Sequence, residues 1–204
     1  MAEPIRLLLA DDQALVRGAL AALLGLEPDL EVVGEVDRGD EVLEAVRRLN
    51  VDVALLDIEM PGLDGIAVAE QLRDEAPQVK SLIVTTFGRP GYLRRAMDAG
   101  AAGFVVKDTP ADELADAVRR VSQGLRVLDP GLATESVIDG ASPLTERERE
   151  VLRHVLSGAP VSDVADAVAL SEGTVRNYLS SAATKTNARS SSEAAVIARD
   201  RGWL

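Results

Sequence analysis

The chain has 204 residues, 47% hydrophobic and 27% charged, enough for one or two domains with a real core. It holds no cysteine and a single histidine, His154, which excludes disulfides and thiolate metal sites and argues against a histidine-based zinc site. The net charge of −12 argues at first against nucleic acid, but it is unevenly spread. Residues 1–124 carry 13 basic against 23 acidic side chains, residues 125–142 carry 1 against 3, and residues 143–204 carry 8 against 8. Repulsion keeps the front of the chain off phosphates, whereas the rear can meet DNA through a few placed cations. No apolar run approaches the roughly 20 residues of a membrane span. The first residues lack the basic-then-apolar pattern of a signal peptide, so a cytoplasmic protein without membrane insertion is expected.

In chain order, residues 1–124 alternate short apolar runs with amphipathic stretches. Strands are predicted at 5–10, 31–36, 53–57, 81–85 and 103–106, and helices at 14–26, 40–49, 66–76, 92–99 and 111–122. Five such units predict an α/β, doubly wound, five-stranded parallel sheet covered on both faces. Residues 125–142, with Pro130, Gly131 and Gly140 and no sustained period, are predicted to be a linker. From 143 to 204 the pattern is helical only, predicting a small all-α four-helix domain. Thr145 and Glu148 form a capping box that opens a helix with Val151, Leu152, Val155 and Leu156 on one side. Gly158 and Pro160 interrupt it before a short helix at 161–168 and a turn at 169–171. Ser171 caps a helix at 172–186, and Ser190 with Glu193 starts a last one that ends near Gly202.

In an open parallel sheet, ligands bind beyond the carboxyl ends of the strands. There this sequence is polar: Asp11 and Asp12 follow the first strand, Asp57 and Thr85 end the third and fourth, and Lys107 follows the fifth. Carboxylates gathered on one rim repel one another, a cost that a hard divalent cation such as Mg²⁺ removes.

With Asp11-Asp12, Asp57 in LLDIEMPGLDG, Thr85 in LIVTTF and Lys107 in FVVKDTP, residues 5–124 resemble a response-regulator receiver, a flavodoxin-like fold. The resemblance implies that Asp57 is the phosphoacceptor, attacking a phosphohistidine on a sensor histidine kinase. It also implies that Mg²⁺ is held by Asp57, directly by Asp12, through water by Asp11, and by the backbone carbonyl of Glu59. Lys107 would pair with the phosphate, the Thr85 hydroxyl would move in to hydrogen-bond it, and Phe104 would be the switch aromatic that turns into the space Thr85 vacates. A receiver of this kind is a regulator rather than an enzyme, catalysing only its own phosphoryl transfer and dephosphorylation. A phosphoaspartate hydrolase also uses a strand-end aspartate, but it favours a second Asp two residues on, where this chain has Glu59. A regulator that acts without phosphorylation, and an interaction module that no longer touches DNA, are the other readings the residues leave open.

SPLTEREREVL and LSEGTVRNY make residues 143–204 resemble the LuxR-type helix-turn-helix of NarL/FixJ two-component response regulators. TTFGRPGY, GTVRNY and the terminal RGWL resemble the DesR-like subgroup. The third helix of such a domain enters the major groove of promoter DNA. Here it would present Arg176, Asn177 and Ser180 to base edges, with Thr174 near a phosphate, Lys185 as a further phosphate contact, and Val175 and Leu179 turned to the core. Arg suits a guanine edge and Asn an adenine edge, because each makes two parallel hydrogen bonds. The family's lysine near Ser162 is absent, Ser181 stands where an arginine is common, and Ala182 and Thr186 replace larger apolar residues. Fewer cations weaken monomeric binding, so a homodimer formed on phosphorylation is expected to supply avidity.

Overall fold

The computed structural model describes residues 3–86, 88, 90–129, 131 and 142–204. Among the described residues two compact units emerge, one running to residue 88 and again from 93 to 131, the other mainly from 142 to 204. Residues 130 and 132–141 of the expected linker, and Phe87 and Arg89 of TTFGRPGY, lie outside the described residues.

In chain order the first part runs β1 (Ile5–Ala10), α1 (Ala14–Leu24), β2 (Leu30–Val36), α2 (Val42–Leu49), β3 (Val53–Leu56), α3 (Gly65–Glu75), β4 (Lys80–Thr85), α4 (Pro90–Asp98), β5 (Gly103–Val106), α5 (Ala111–Ser122) and β6 (Val127–Leu128). All pairings are parallel and the order is β2-β1-β3-β4-β5-β6. The doubly wound sheet is thus as expected, and among the described residues it has six strands, one more than the five expected. The sixth comes from the stretch read as linker. Two residues are too short to show a period, and Val127 and Leu128 are held by pairing with Gly103 and Phe104 rather than by any pattern of their own.

The inner strands are largely apolar on both faces because both faces are covered. Leu7, Leu9, Val53, Leu55, Leu82, Val84 and Val105 share a core with Leu24 of α1 and Leu114, Val118 and Val121 of α5. The alternate residues Leu8, Ala54, Leu56, Ile83 and Phe104 are buried on the opposite face. Strand order reverses beside β1, whose neighbours are β2 and β3, so the crevice for a ligand opens at the carboxyl ends of β1 and β3.

The second unit holds α6 (Glu146–Leu156), α7 (Val161–Ala167), α8 (Glu172–Thr186) and α9 (Ser191–Asp200). The capping box at Thr145 and Glu148 is complete, and the Ser171 and Ser190 hydroxyls accept from the amides of Thr174 and Glu193. The core gathers Val151, Leu152, Val164, Val175, Leu179, Ala182, Ala194 and Trp203. Among the described residues, no helix is long and apolar enough to cross a membrane.

Candidate functional site

Backbone hydrogen bonds carry the ladders one residue past the strands and so assemble the rim. The Asp11 amide donates to the Val36 carbonyl at 3.1 Å, the Asp57 amide to Ala10 at 2.8 Å and the Lys107 amide to Thr85 at 2.8 Å. With side chains alternating along a strand, Asp11, Asp57 and Lys107 continue the rows of Leu9, Leu55 and Val105, while Thr85 continues that of Ile83, the partner of Phe104.

The Lys107 Nζ lies 2.6 Å from Asp11 Oδ2 and 3.0 Å from Asp57 Oδ2, with all three side chains buried. Asp57 Oδ1 accepts from the Ile58 amide at 2.8 Å and Asp11 Oδ1 from the Gln13 amide at 2.9 Å. Asp12 is exposed, yet carboxylate oxygens of Asp11, Asp12 and Asp57 all lie within 4.8 Å of one another. Three carboxylates face one ammonium, and the imbalance is the charge of a divalent cation. Burial pushes the Asp57 carboxyl above its ordinary value, and Lys107 only partly offsets this. The donor set is all oxygen, open to solvent on the Asp12 side, and fits a hard cation. Thr85 and Phe104 are fully buried, and Glu59 is exposed in the loop after Asp57.

Two residues given no role by the sequence, Arg17 and the last glycine of LLDIEMPGLDG, shape this rim. Arg17 donates to the Asp11 carbonyl and pairs with Glu35 at 3.3 Å, tying the first acidic loop to β2. Gly65 opens α3 so close to Asp57 that an added Cβ would lie 2.0 Å from the Asp57 carbonyl oxygen. Backbone cannot yield as a flexible side chain would, so Gly65→Ala is expected to displace the loop after β3 and to destabilise the first unit by about 1–3 kcal/mol. Urea unfolding reads the stability, and phosphodonor labelling of Asp57 should fall in parallel. Wild-type values for both would mean that the close approach is unimportant.

On the second unit, Arg176, Asn177 and Ser180 stand on the exposed face of α8, and Val175 and Leu179 are buried. Thr174 is half-buried, its hydroxyl 2.8 Å from that of Ser171. Lys185 is differently placed from a free phosphate contact: its Nζ lies 2.8 Å from Glu148 Oε2, with the carboxylate buried and the lysine one-third exposed. Glu148 Oε1 also accepts from the Ser181 hydroxyl at 2.6 Å, and Oε2 from the Thr145 amide at 2.6 Å. Burial alone would raise the Glu148 carboxyl, but Lys185, Ser181 and Thr145 together bring it down to about 2. Glu148 is readable as half of a capping box. Its grip on α8 is not, since Ser181 and Lys185 lie 33 and 37 residues away in sequence.

Known proteins share both halves. Residues 7–119 match the response regulator receiver domain and residues 142–198 the bacterial regulatory proteins of the luxR family. The chain is 46% identical over 200 residues to the transcriptional regulatory protein YvfU of Bacillus subtilis (strain 168), covering 98% of this chain and 100% of that one. To the transcriptional regulatory protein DesR of the same organism it is 42% identical, covering 98% and 99%. The crystal structure of the response regulator ChrA, from a heme-sensing two-component system, aligns over 100% of both chains at 31% identity with a TM-score of 0.61. The RcsB–DNA complex, at 21% identity and a TM-score of 0.71 over 97% and 99% of the two chains, shares the fold. The chain therefore belongs to the NarL/FixJ response regulators, which join a receiver domain to a LuxR-type DNA-binding domain and regulate transcription.

Proposed function

We propose that residues 1–124 receive a phosphoryl group on Asp57 from a sensor histidine kinase, that residues 125–142 connect, and that residues 143–204 read promoter DNA as a homodimer formed on phosphorylation. The observation that carries this reading is the Lys107 ammonium set between buried Asp11 and Asp57 at the switch point of the sheet. Mg²⁺ would be held by Asp11, Asp12, Asp57 and the Glu59 carbonyl, and it supplies positive charge against the phosphoryl oxygens. An Asp57 oxygen forms the bond to phosphorus as the P–N bond of the phosphohistidine breaks and the imidazole leaves. Lys107 follows the transferred group and pairs with it. Thr85 then donates its hydroxyl to the phosphate, and Phe104, one strand over on the same face, packs into the space released. Added charge of about −1.5 to −2 is enough to bias a two-state loop and helix. Both the kinase's phosphohistidine and the promoter are cytoplasmic, which places the chain there.

On DNA, Arg176 is assigned to a guanine edge, Asn177 to an adenine edge, and Ser180 and Thr174 to flanking contacts, with Lys185 contributing through its exposed remainder. Genomic footprinting of the phosphodonor-treated chain should give discrete sites with two-fold symmetry. Arg176→Ala should lower affinity for those sites by about tenfold or more in a gel shift, with little change on unrelated DNA. Unchanged affinity for the footprinted sites would remove Arg176 from the groove.

A further inference from the structure

Helix α8 carries one acidic side chain, Glu172 in its first turn, and two cations, Arg176 and Lys185. Lys185 is engaged by Glu148. Arg176 is the cation on the exposed reading face, and its Nη2 bonds Glu172 Oε2 one turn back, with the two side chains 62% and 48% exposed. For a helix that approaches a polyanion, this is a poor place for a carboxylate. It repels phosphates and cancels the charge that Arg176 brings. The helix dipole favours a carboxylate in the first turn, but at an exposed position this and the i,i+4 pair return little helix stability in exchange. The placing makes physical sense if the carboxylate meets a donor in the groove, and the donors a major groove offers are exocyclic amino groups.

We propose that Glu172 is a specificity-determining residue that accepts a hydrogen bond from a cytosine N4 amino group beside the base read by Arg176. The inference rests on the DNA-reading function proposed above. The pair positions both partners: Oε2 holds the arginine, Oε1 serves the amino group, and the rest of the guanidinium serves guanine. Because a carboxylate accepts and cannot donate, it suits cytosine, whereas the uncharged amide of glutamine both donates and accepts and suits adenine N6 and N7.

The test needs no known operator. The full chain, treated with acetyl phosphate and Mg²⁺, is used to select from a library of randomised DNA duplexes, and the enriched sequences are read. Wild type should return a motif with a cytosine position in each half-site favoured about tenfold over the other bases. Glu172→Ala should lose the preference at that position while binding unrelated DNA more tightly, and Glu172→Gln should turn the preference from cytosine to adenine. Glu172 is exposed, so both variants should melt with wild type. A wild-type motif returned unchanged by both variants would overturn the inference and leave a plain surface ion pair. If wild type itself returned no motif, the DNA-reading function would fail, and this assignment with it.

Discussion

Acetyl phosphate with Mg²⁺ is expected to add one phosphoryl group to the wild-type chain and none to Asp57→Ala. An Asp57 oxygen bonds to phosphorus, the bond from phosphorus to the acetyl oxygen breaks, and acetate leaves with the electron pair. Asp11 and Asp12 are not expected to substitute. Asp11 is committed to Lys107 at 2.6 Å and to the Gln13 amide, and Asp12 stands at the exposed lip of the cluster. Asp57 also has an amide at one oxygen and the ammonium at the other, but that ammonium stands further off at 3.0 Å and burial holds the Asp57 carboxyl above its ordinary value. The variant should fold, because Lys107 keeps Asp11 as its partner and loses only a desolvated second one. Intact-mass measurement reads the outcome, and loss of phosphodonor-dependent DNA binding by the variant should accompany it. Equal labelling of Asp57→Ala would place the acceptor elsewhere and end the reading of this rim.

Polar residues at the ends of apolar runs made this rim legible in the sequence. Any one polar residue at a strand end can be a helix cap, but Asp11, Asp57 and Thr85 close successive buried strands, and the parallel topology brings those ends to one edge. The helix starts of the second unit were legible for a local reason, since a capping box spans only three residues. What stayed hidden is what depends on packing between elements rather than on local pattern. Gly65 ends the LLDIEMPGLDG motif, but its packing on the Asp57 carbonyl is not written there. Arg17 falls within the helix predicted at 14–26, and no pattern there points to the Asp11 carbonyl. Lys185 reads as a phosphate contact because its neighbours in sequence say nothing of Glu148. The two-residue β6 has no pattern of its own and exists through its partner strand.

Glu148→Ala is expected to damage the second unit although it removes no apolar side chain, lowering its stability by about 2–3 kcal/mol. The carboxylate is a single junction: it closes the α6 capping box through the Thr145 amide and holds α8 through Ser181 and Lys185. Removing it opens the cap and leaves the Ser181 hydroxyl and Thr145 amide without their acceptor. Lys185, one-third exposed, recovers part of its loss from water, which keeps the figure below that of a fully buried pair. For a unit of this size the melting temperature should drop by about 10–20 °C, read by calorimetry on the full chain. The same carboxylate fixes the acid limb. Its folded pKa of about 2 lies below the ordinary 4.5, so its contribution is complete above pH 4.5 and is lost as the pH falls from there towards 2. Glu148→Gln cannot titrate and should show a flatter stability profile across that window, because an amide keeps the acceptor for Ser181 but not the attraction to Lys185. A profile as steep as wild type in Glu148→Gln would assign the acid sensitivity to other carboxylates. A melting temperature unchanged in Glu148→Ala would mean that α8 is held by its apolar face alone, and that orientation of the reading helix owes nothing to this junction.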